Sequence, residues 1–250
     1  PGARPRAGAG ARALTGVQRG KVPRGRPNPH GMMHGMEPTR ILAIRHGETA
    51  WNVDTRIQGH LDIPLNATGR EQASRLARAL LGHAPIDAIC SSDLSRALQT
   101  ARIVADATGA PLSVNAGLRE RCFGDLQGHT FAEFSAAAPQ QAERWRRRDP
   151  DWVPPGGGES LLSFRERVTQ TVQVLAAQNA GKTLALLTHG GVLDVLYRAA
   201  TGLGLQDART WQIGNTAVNR LLWTPDSGLT LVGWADTTHL EDESLDESTA

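Results

Sequence analysis

Ile41-Leu42-Ala43-Ile44 is a short apolar run that stops abruptly at Arg45-His46-Gly47. Four apolar residues are too few for a helix, and a run bounded by a polar turn reads as a strand buried on both faces. The same figure returns at Thr183 to Thr188, which runs directly into His189-Gly190-Gly191. Between these two junctions the period changes. Thr68-Gly69-Arg70-Glu71 has capping-box spacing and leads into Ala73, Leu76, Ala77, Leu80 and Leu81, one apolar face at helical period. Ile86 to Cys90 reads as a second strand, ending at Ser91-Ser92-Asp93, where a helix begins with Leu94, Ala97, Leu98, Ala101 and Val104 inward and Gly109 beyond its end. A third strand is expected at Leu112–Val114. The alternation of strands and helices predicts the α/β class, a three-layer α/β/α sandwich around a mostly parallel central sheet.

Further along, a polar stretch bearing Trp and Arg, from about Phe131 to Arg147, is expected to be a helical cover (about 129–157) inserted over the domain. Pro154-Pro155-Gly156-Gly157-Gly158 breaks the chain, and Ser160 is expected to cap a helix through Phe164, Val168, Val172 and Leu175. A helix with Val192, Leu196 and Ala199 inward follows the second histidine, and strands near Val218–Trp223 and Leu229–Trp234 close the domain.

With 250 residues and 40% hydrophobic content, the chain can bury one sizeable core. Residues 1–37 are rich in Gly, Pro, Ala and Arg with few large apolar side chains. They read as a disordered basic arm or an upstream extension, with Met32, Met33 and Met36 as candidate starts. Residues 38–240 form the expected domain, and 241–250 an acidic tail. The net charge of +2 and the pI near 9.0 therefore reflect the arm and say little about what the domain binds, which argues against a nucleic-acid partner. Cys90 and Cys122 have neither disulfide nor zinc spacing, and no apolar run spans a bilayer, so a cytoplasmic protein without a membrane partner is expected. His30 and His34 have the spacing of a metal pair, but the neighbouring glycines argue against a helix that would present them.

Open α/β sheets bind ligands at the carboxyl ends of their strands. Arg45-His46, Arg96, Glu120 and His189 all fall at such ends or in the turns after them. Gly47 and Gly190 follow the histidines directly, where a missing side chain permits close approach of a ligand. Phosphoryl transfer demands charge neutralisation and positioning, and guanidinium groups supply both to a phosphate. A histidine nucleophile must be neutral at one ring nitrogen, and a carboxyl group can protonate the leaving oxygen.

Leu42 to Thr49, with the following Trp51-Asn52, resembles the signature of the histidine phosphatase superfamily, which includes the phosphoglycerate mutases. Gln58-Gly59, Pro64-Leu65, Thr68-Gly69, Ser91 to Ala97, Leu118-Arg119-Glu120 and Thr188-His189-Gly190 match in the same order, so the resemblance extends from about Arg40 to Leu240. The resemblance implies a phosphoglycerate mutase-like fold. It makes His46 the nucleophile, Arg45, Arg96 and His189 the phosphate binders, and Glu120 the proton donor; Asn52 and Gln58, with Gly59 and Gly190, would lie on the substrate side. It implies no metal and no cofactor.

Other features weigh less. Gly181-Lys182-Thr183 resembles the end of a P-loop, but Ala176 stands where glycine is required and the tripeptide precedes its strand. His60, His83, His129 and His239 lack ligand spacing, with His239 the best placed to reach the pocket. Trp145 with Arg144, Arg146, Arg147 and Arg148 reads as a solvated patch before it reads as a substrate grip. Trp211, Trp223 and Trp234, with the sheet edges, leave room for a homodimer.

The stretch from Trp145 to Gly158-Glu159-Ser160 is shorter than in the cofactor-dependent mutases, and Cys122-Phe123 stands where they carry tyrosine. A shorter lid admits water. The expected activity is a metal-independent, histidine acid-type phosphomonoesterase that hydrolyses a small phosphorylated metabolite through phosphohistidine on His46. Phosphoglycerate mutase, an isomerase, is the alternative, and an inert phospho-ligand binder ranks last.

Overall fold

The computed structural model describes Gly2 and residues 37–241 except His83. The basic arm, the His30/His34 pair and most of the acidic tail lie outside the described residues.

Six strands form one sheet: β1 (Thr39–Arg45), β2 (Ala88–Ser91), β3 (Leu112–Val114), β4 (Thr183–Thr188), β5 (Val218–Thr224) and β6 (Gly228–Asp236). Their order across the sheet is β3-β2-β4-β1-β5-β6. The β3-β2, β2-β4 and β4-β1 pairs are parallel, while β5 joins β1 and β6 antiparallel. All six residues of β4 are buried, as expected for a parallel strand covered on both faces.

The helices make the two outer layers. On one face, α2 (Ala67–Leu81) and α3 (Ser95–Thr108) bring Leu76, Ala77, Leu80, Ala101 and Val104 against Ile44, Ile89 and Leu187. On the other, α6 (Leu161–Gln178) and α7 (Gly190–Thr201) bring Phe164, Val168, Val172, Val192 and Leu196 against Ile41, Ala43, Leu184 and Leu186. Ile41 and Ile44 are fully buried on opposite faces of β1. Burial of one such side chain contributes about 1.5–3 kcal/mol. The sandwich is thus fastened through its central strand.

Several local expectations need correction. Asn66, not Thr68, caps α2, its side chain accepting from the Gly69 N–H at 2.7 Å. Leu81 and Ala199 are exposed rather than inward. The stretch after Thr130 is two helices, α4 (Phe131–Ala137) and α5 (Pro139–Arg146). Pro139 has no N–H to donate into α4 and opens the second helix in the first-turn position that suits it. A further short helix, α1 (Ala50–Val53), follows the first histidine and is closed by a capping box between Thr49 and Asn52. Helices α4 and α5 have an apolar core of their own, with Leu126, Phe134, Ala142 and Trp152 buried.

Candidate active site

The register of the sheet creates the site. Arg45 pairs with Thr188 at the carboxyl ends of two adjacent parallel strands, and the His46 N–H donates to the Thr188 carbonyl at 2.9 Å. The next residue of each strand is a histidine. Their rings consequently face each other with centroids 5.3 Å apart, tilted by 58°.

Both imidazoles are buried. Burial is the main cause that drives their pKa values well below the usual 6.5; next come Arg45 and Arg96 for His46, and Arg96, His46 and Arg45 for His189. Both rings are therefore neutral near neutral pH. His46 Nδ1 lies 2.7 Å from the Gly47 carbonyl, an acceptor only, so Nδ1 carries the proton and Nε2 keeps its lone pair. His189 Nε2 lies 2.8 Å from the Ser92 hydroxyl.

The two arginines are held by carbonyl groups instead of carboxylates. Arg45 Nη1 donates to Ile213 O at 2.8 Å; Arg96 donates to Leu61 O at 2.9 Å and Gly59 O at 2.7 Å. Carbonyls fix the guanidinium planes without cancelling their charge. Burial lowers Arg96 to about 10, which leaves it protonated at neutral pH. Arg45 Nε, Arg96 Nε and His189 Nδ1 are buried without a partner. A buried polar group left so costs about 1–3 kcal/mol. An oxyanion is the kind of partner that such guanidinium N–H groups would take.

Glu120 approaches through the amino end of α7. Its carboxylate accepts from the Gly191 N–H at 2.9 Å and from the Arg121 N–H at 2.8 Å. Gly191 is glycine because space demands it: a Cβ there would lie 2.1 Å from Glu120 Oε1. The same helix end places its partial positive charge beside the two arginines.

Arg45, Glu120 and Gly190 line one side of a cavity of about 1070 Å³. Arg121, Arg146, Arg148, Arg209, Trp145 and Trp211 belong to its remaining wall. His46, Arg96, His189, Asn52, Gln58 and Gly59 are not in that wall. The Asn52 side-chain oxygen accepts from Thr49, Gln58 Oε1 is buried without a partner, and the Gly59 carbonyl anchors Arg96. His239 does not reach the cavity either, because its ring contacts Thr216 Oγ1 at 3.2 Å.

The patch around Trp145 divides. Arg144 and Arg147 are exposed and paired with Asp149 and Glu143. Trp145 instead stacks on Phe123 at 5.0 Å, and Arg146 and Arg148 line the cavity while paired with Glu143 and Asp194. The solvated reading therefore holds for half of it. Trp211 and Trp223 are buried, Trp211 stacking on Tyr197 at 4.0 Å, so neither is a surface aromatic.

Sequence reading missed Ser92, His60, Asn215 and Arg209. His60 Nε2 meets the Glu120 carbonyl at 2.8 Å, and Asn215 donates to the His46 carbonyl at 2.8 Å. Ser92 lay within a quoted block, but the other three have no local pattern that marks them. Among the described residues, no helix is long and apolar enough to cross a membrane, and no cluster of three His, Cys, Asp or Glu has metal-binding proximity.

Residues 41–237 match the family model of the histidine phosphatase superfamily, branch 1. A phosphoglycerate mutase-like protein of Arabidopsis thaliana is 37% identical over 83% of this chain and 90% of its own length. A metal-independent phosphoserine phosphatase of the same plant is 33% identical, covering 82% of this chain and 84% of its own. Among solved structures, a mycobacterial glucosyl-3-phosphoglycerate phosphatase superposes with a TM-score of 0.70 at 33% identity, over 80% of this chain and 99% of that one.

Proposed function

We propose that this chain, which belongs to the histidine phosphatase superfamily, hydrolyses a small phosphomonoester through a phosphohistidine on His46, without a metal ion. The observation that carries the proposal is the neutral, tautomer-fixed ring of His46. Gly47 holds its Nδ1 proton, so Nε2 keeps its lone pair, beside two arginines that lack contact carboxylates.

In the first step Nε2 attacks phosphorus and the ester P–O bond breaks. Arg45, Arg96 and His189 take the charge on the equatorial oxygens, and the leaving oxygen receives its proton from Glu120. In the second step a water gives its proton to Glu120 and attacks the phosphohistidine. The N–P bond breaks, its electrons return to Nε2, and inorganic phosphate departs. Water thus returns to Glu120 the proton that the leaving oxygen took.

The leaving group is proposed to carry a second negative charge. Arg209, exposed at the cavity wall beside Arg45, makes no hydrogen bond or ion pair among the described residues, whereas Arg146 and Arg148 in the same wall are paired with Glu143 and Asp194. Relatives whose names specify acidic substrates, phosphoserine and glucosyl-3-phosphoglycerate, support this reading.

The likeness to a phosphoglycerate mutase-like protein keeps isomerisation as the second reading. Release of inorganic phosphate, measured with EDTA present over a panel of phosphorylated hydroxy acids and p-nitrophenyl phosphate, separates the two. Hydrolysis with an acid-labile, base-stable phosphoprotein that is absent from His46→Ala is the expected result. Isomerisation without phosphate release, or full activity in His46→Ala, would overturn the proposal.

A further inference from the structure

Ser92 sits at the end of β2 and is fully buried, directly behind the second histidine. Its hydroxyl oxygen already accepts the Leu94 N–H at 3.3 Å. The hydroxyl proton then needs an acceptor of its own, and among the described residues the one partner left to it is His189 Nε2 at 2.8 Å. A neutral imidazole has one protonated and one bare nitrogen. If Nε2 receives the Ser92 proton, the ring's own proton must reside on Nδ1, the nitrogen left buried without a partner.

We infer that Ser92 is a positioning residue that fixes His189 in the Nδ1–H tautomer, turning that ring into a neutral hydrogen-bond donor for the transferring phosphoryl group. The inference rests on the phosphatase reading for its catalytic meaning, but the tautomer itself is a property of the resting protein. The two histidines thus receive the same tautomer by opposite means. At His46 a carbonyl that can only accept claims the Nδ1 proton and bares Nε2 for attack. At His189 a hydroxyl donates to Nε2 and so leaves Nδ1–H free. Without the Ser92 proton, His189 becomes free to turn its lone pair toward the anion, where it repels instead of binding.

The test is ¹⁵N-¹H correlation spectroscopy of the imidazoles in the full chain near neutral pH, where the two nitrogens of each tautomer have well-separated shifts. Wild type is expected to show His189 protonated at Nδ1, and Ser92→Ala to show a mixed or Nε2–H population with the His46 signals unmoved. Losing one hydrogen bond to a charged phosphoryl group should lower kcat/KM roughly 10- to 100-fold, mainly in kcat, and Ser92→Thr should recover most of it. An Nε2–H tautomer in wild type overturns the inference whether or not the variant folds, as does an unchanged tautomer in Ser92→Ala. Absence of phosphatase activity in wild type would instead strike the functional reading and leave the tautomer assignment standing.

Discussion

The rings of His46 and His189 share one buried space, 5.3 Å between centroids, because Arg45 and Thr188 are register partners at the ends of adjacent strands. Two uncharged imidazoles so deeply buried have a consequence for stability. Their folded pKa values lie well below 6.5, chiefly through burial, whereas the unfolded chain takes up protons on both as pH falls past 6.5. The unfolded state then binds more protons than the folded one, so stability is complete above pH 6.5 and declines below it. Each histidine adds a slope of up to about 1.4 kcal/mol per pH unit. Urea unfolding from pH 7.5 to 5.5 should show this loss, and the paired substitutions His46→Gln and His189→Gln should flatten it. A wild-type profile that is level from 7.5 to 5.5 would contradict the assignment.

Gly190 and Gly191 are neighbours with different obligations. A Cβ on Gly190 meets nothing nearer than 3.7 Å, while one on Gly191 would strike the Glu120 carboxylate. Gly191→Ala should therefore displace the proposed acid. Since a good leaving group needs little protonation, the variant should lose about 10²- to 10⁴-fold in kcat toward alkyl phosphates and far less toward p-nitrophenyl phosphate. Glu120→Gln should show the same selectivity, and Gly190→Ala should stay within a few-fold of wild type on both. Equal losses on both substrates would count against Glu120 as the acid.

Arg96 makes two hydrogen bonds from one fixed guanidinium plane, to Leu61 O and Gly59 O, and its Nε is buried without a partner, which leaves it for the proposed phosphate. Lysine retains the charge but not the fork. Arg96→Lys should lower kcat/KM by roughly 100-fold, the scale of a lost charged hydrogen bond, and weaken inhibition by vanadate in parallel. Activity within a factor of two of wild type would place the phosphate elsewhere.

The path from sequence to site was readable where one physical rule acts locally. Ile41 to Ile44 and Thr183 to Thr188 announced buried strands because parallel strands are apolar throughout, and each histidine followed directly. The position of Arg96 behind Ser92-Asp93 placed it near a strand end, but its burial was not legible, since a basic residue in the first turn of a helix has no periodic signature of burial. Ser92, His60 and Asn215 act through contacts with residues remote in the chain, and no window of sequence contains both partners. The break at Pro139 went unread for another reason: the stretch from Phe131 to Arg147 reads as one polar helical cover, and proline fits a helix start as well as it ends one.

Arg209 offers the sharpest test of substrate class. It is exposed, close enough to Arg45 to lower that residue's pKa, and unpaired among the described residues, so its charge is directed at no group of the protein. An exposed cation adds little to folding, and Arg209→Ala should leave the unfolding midpoint within experimental error of wild type. Its effect should fall on recognition. For phosphoserine or a phosphoglycerate, KM should rise about 5- to 20-fold, as for one lost charged hydrogen bond, with kcat nearly constant, because a contact to a remote anion is equal in the ground and transition states. For p-nitrophenyl phosphate, which has no carboxylate, neither constant should move. A parallel rise in KM for both substrates would show that Arg209 acts through the general field of the pocket, and the proposal of an acidic leaving group would then fail.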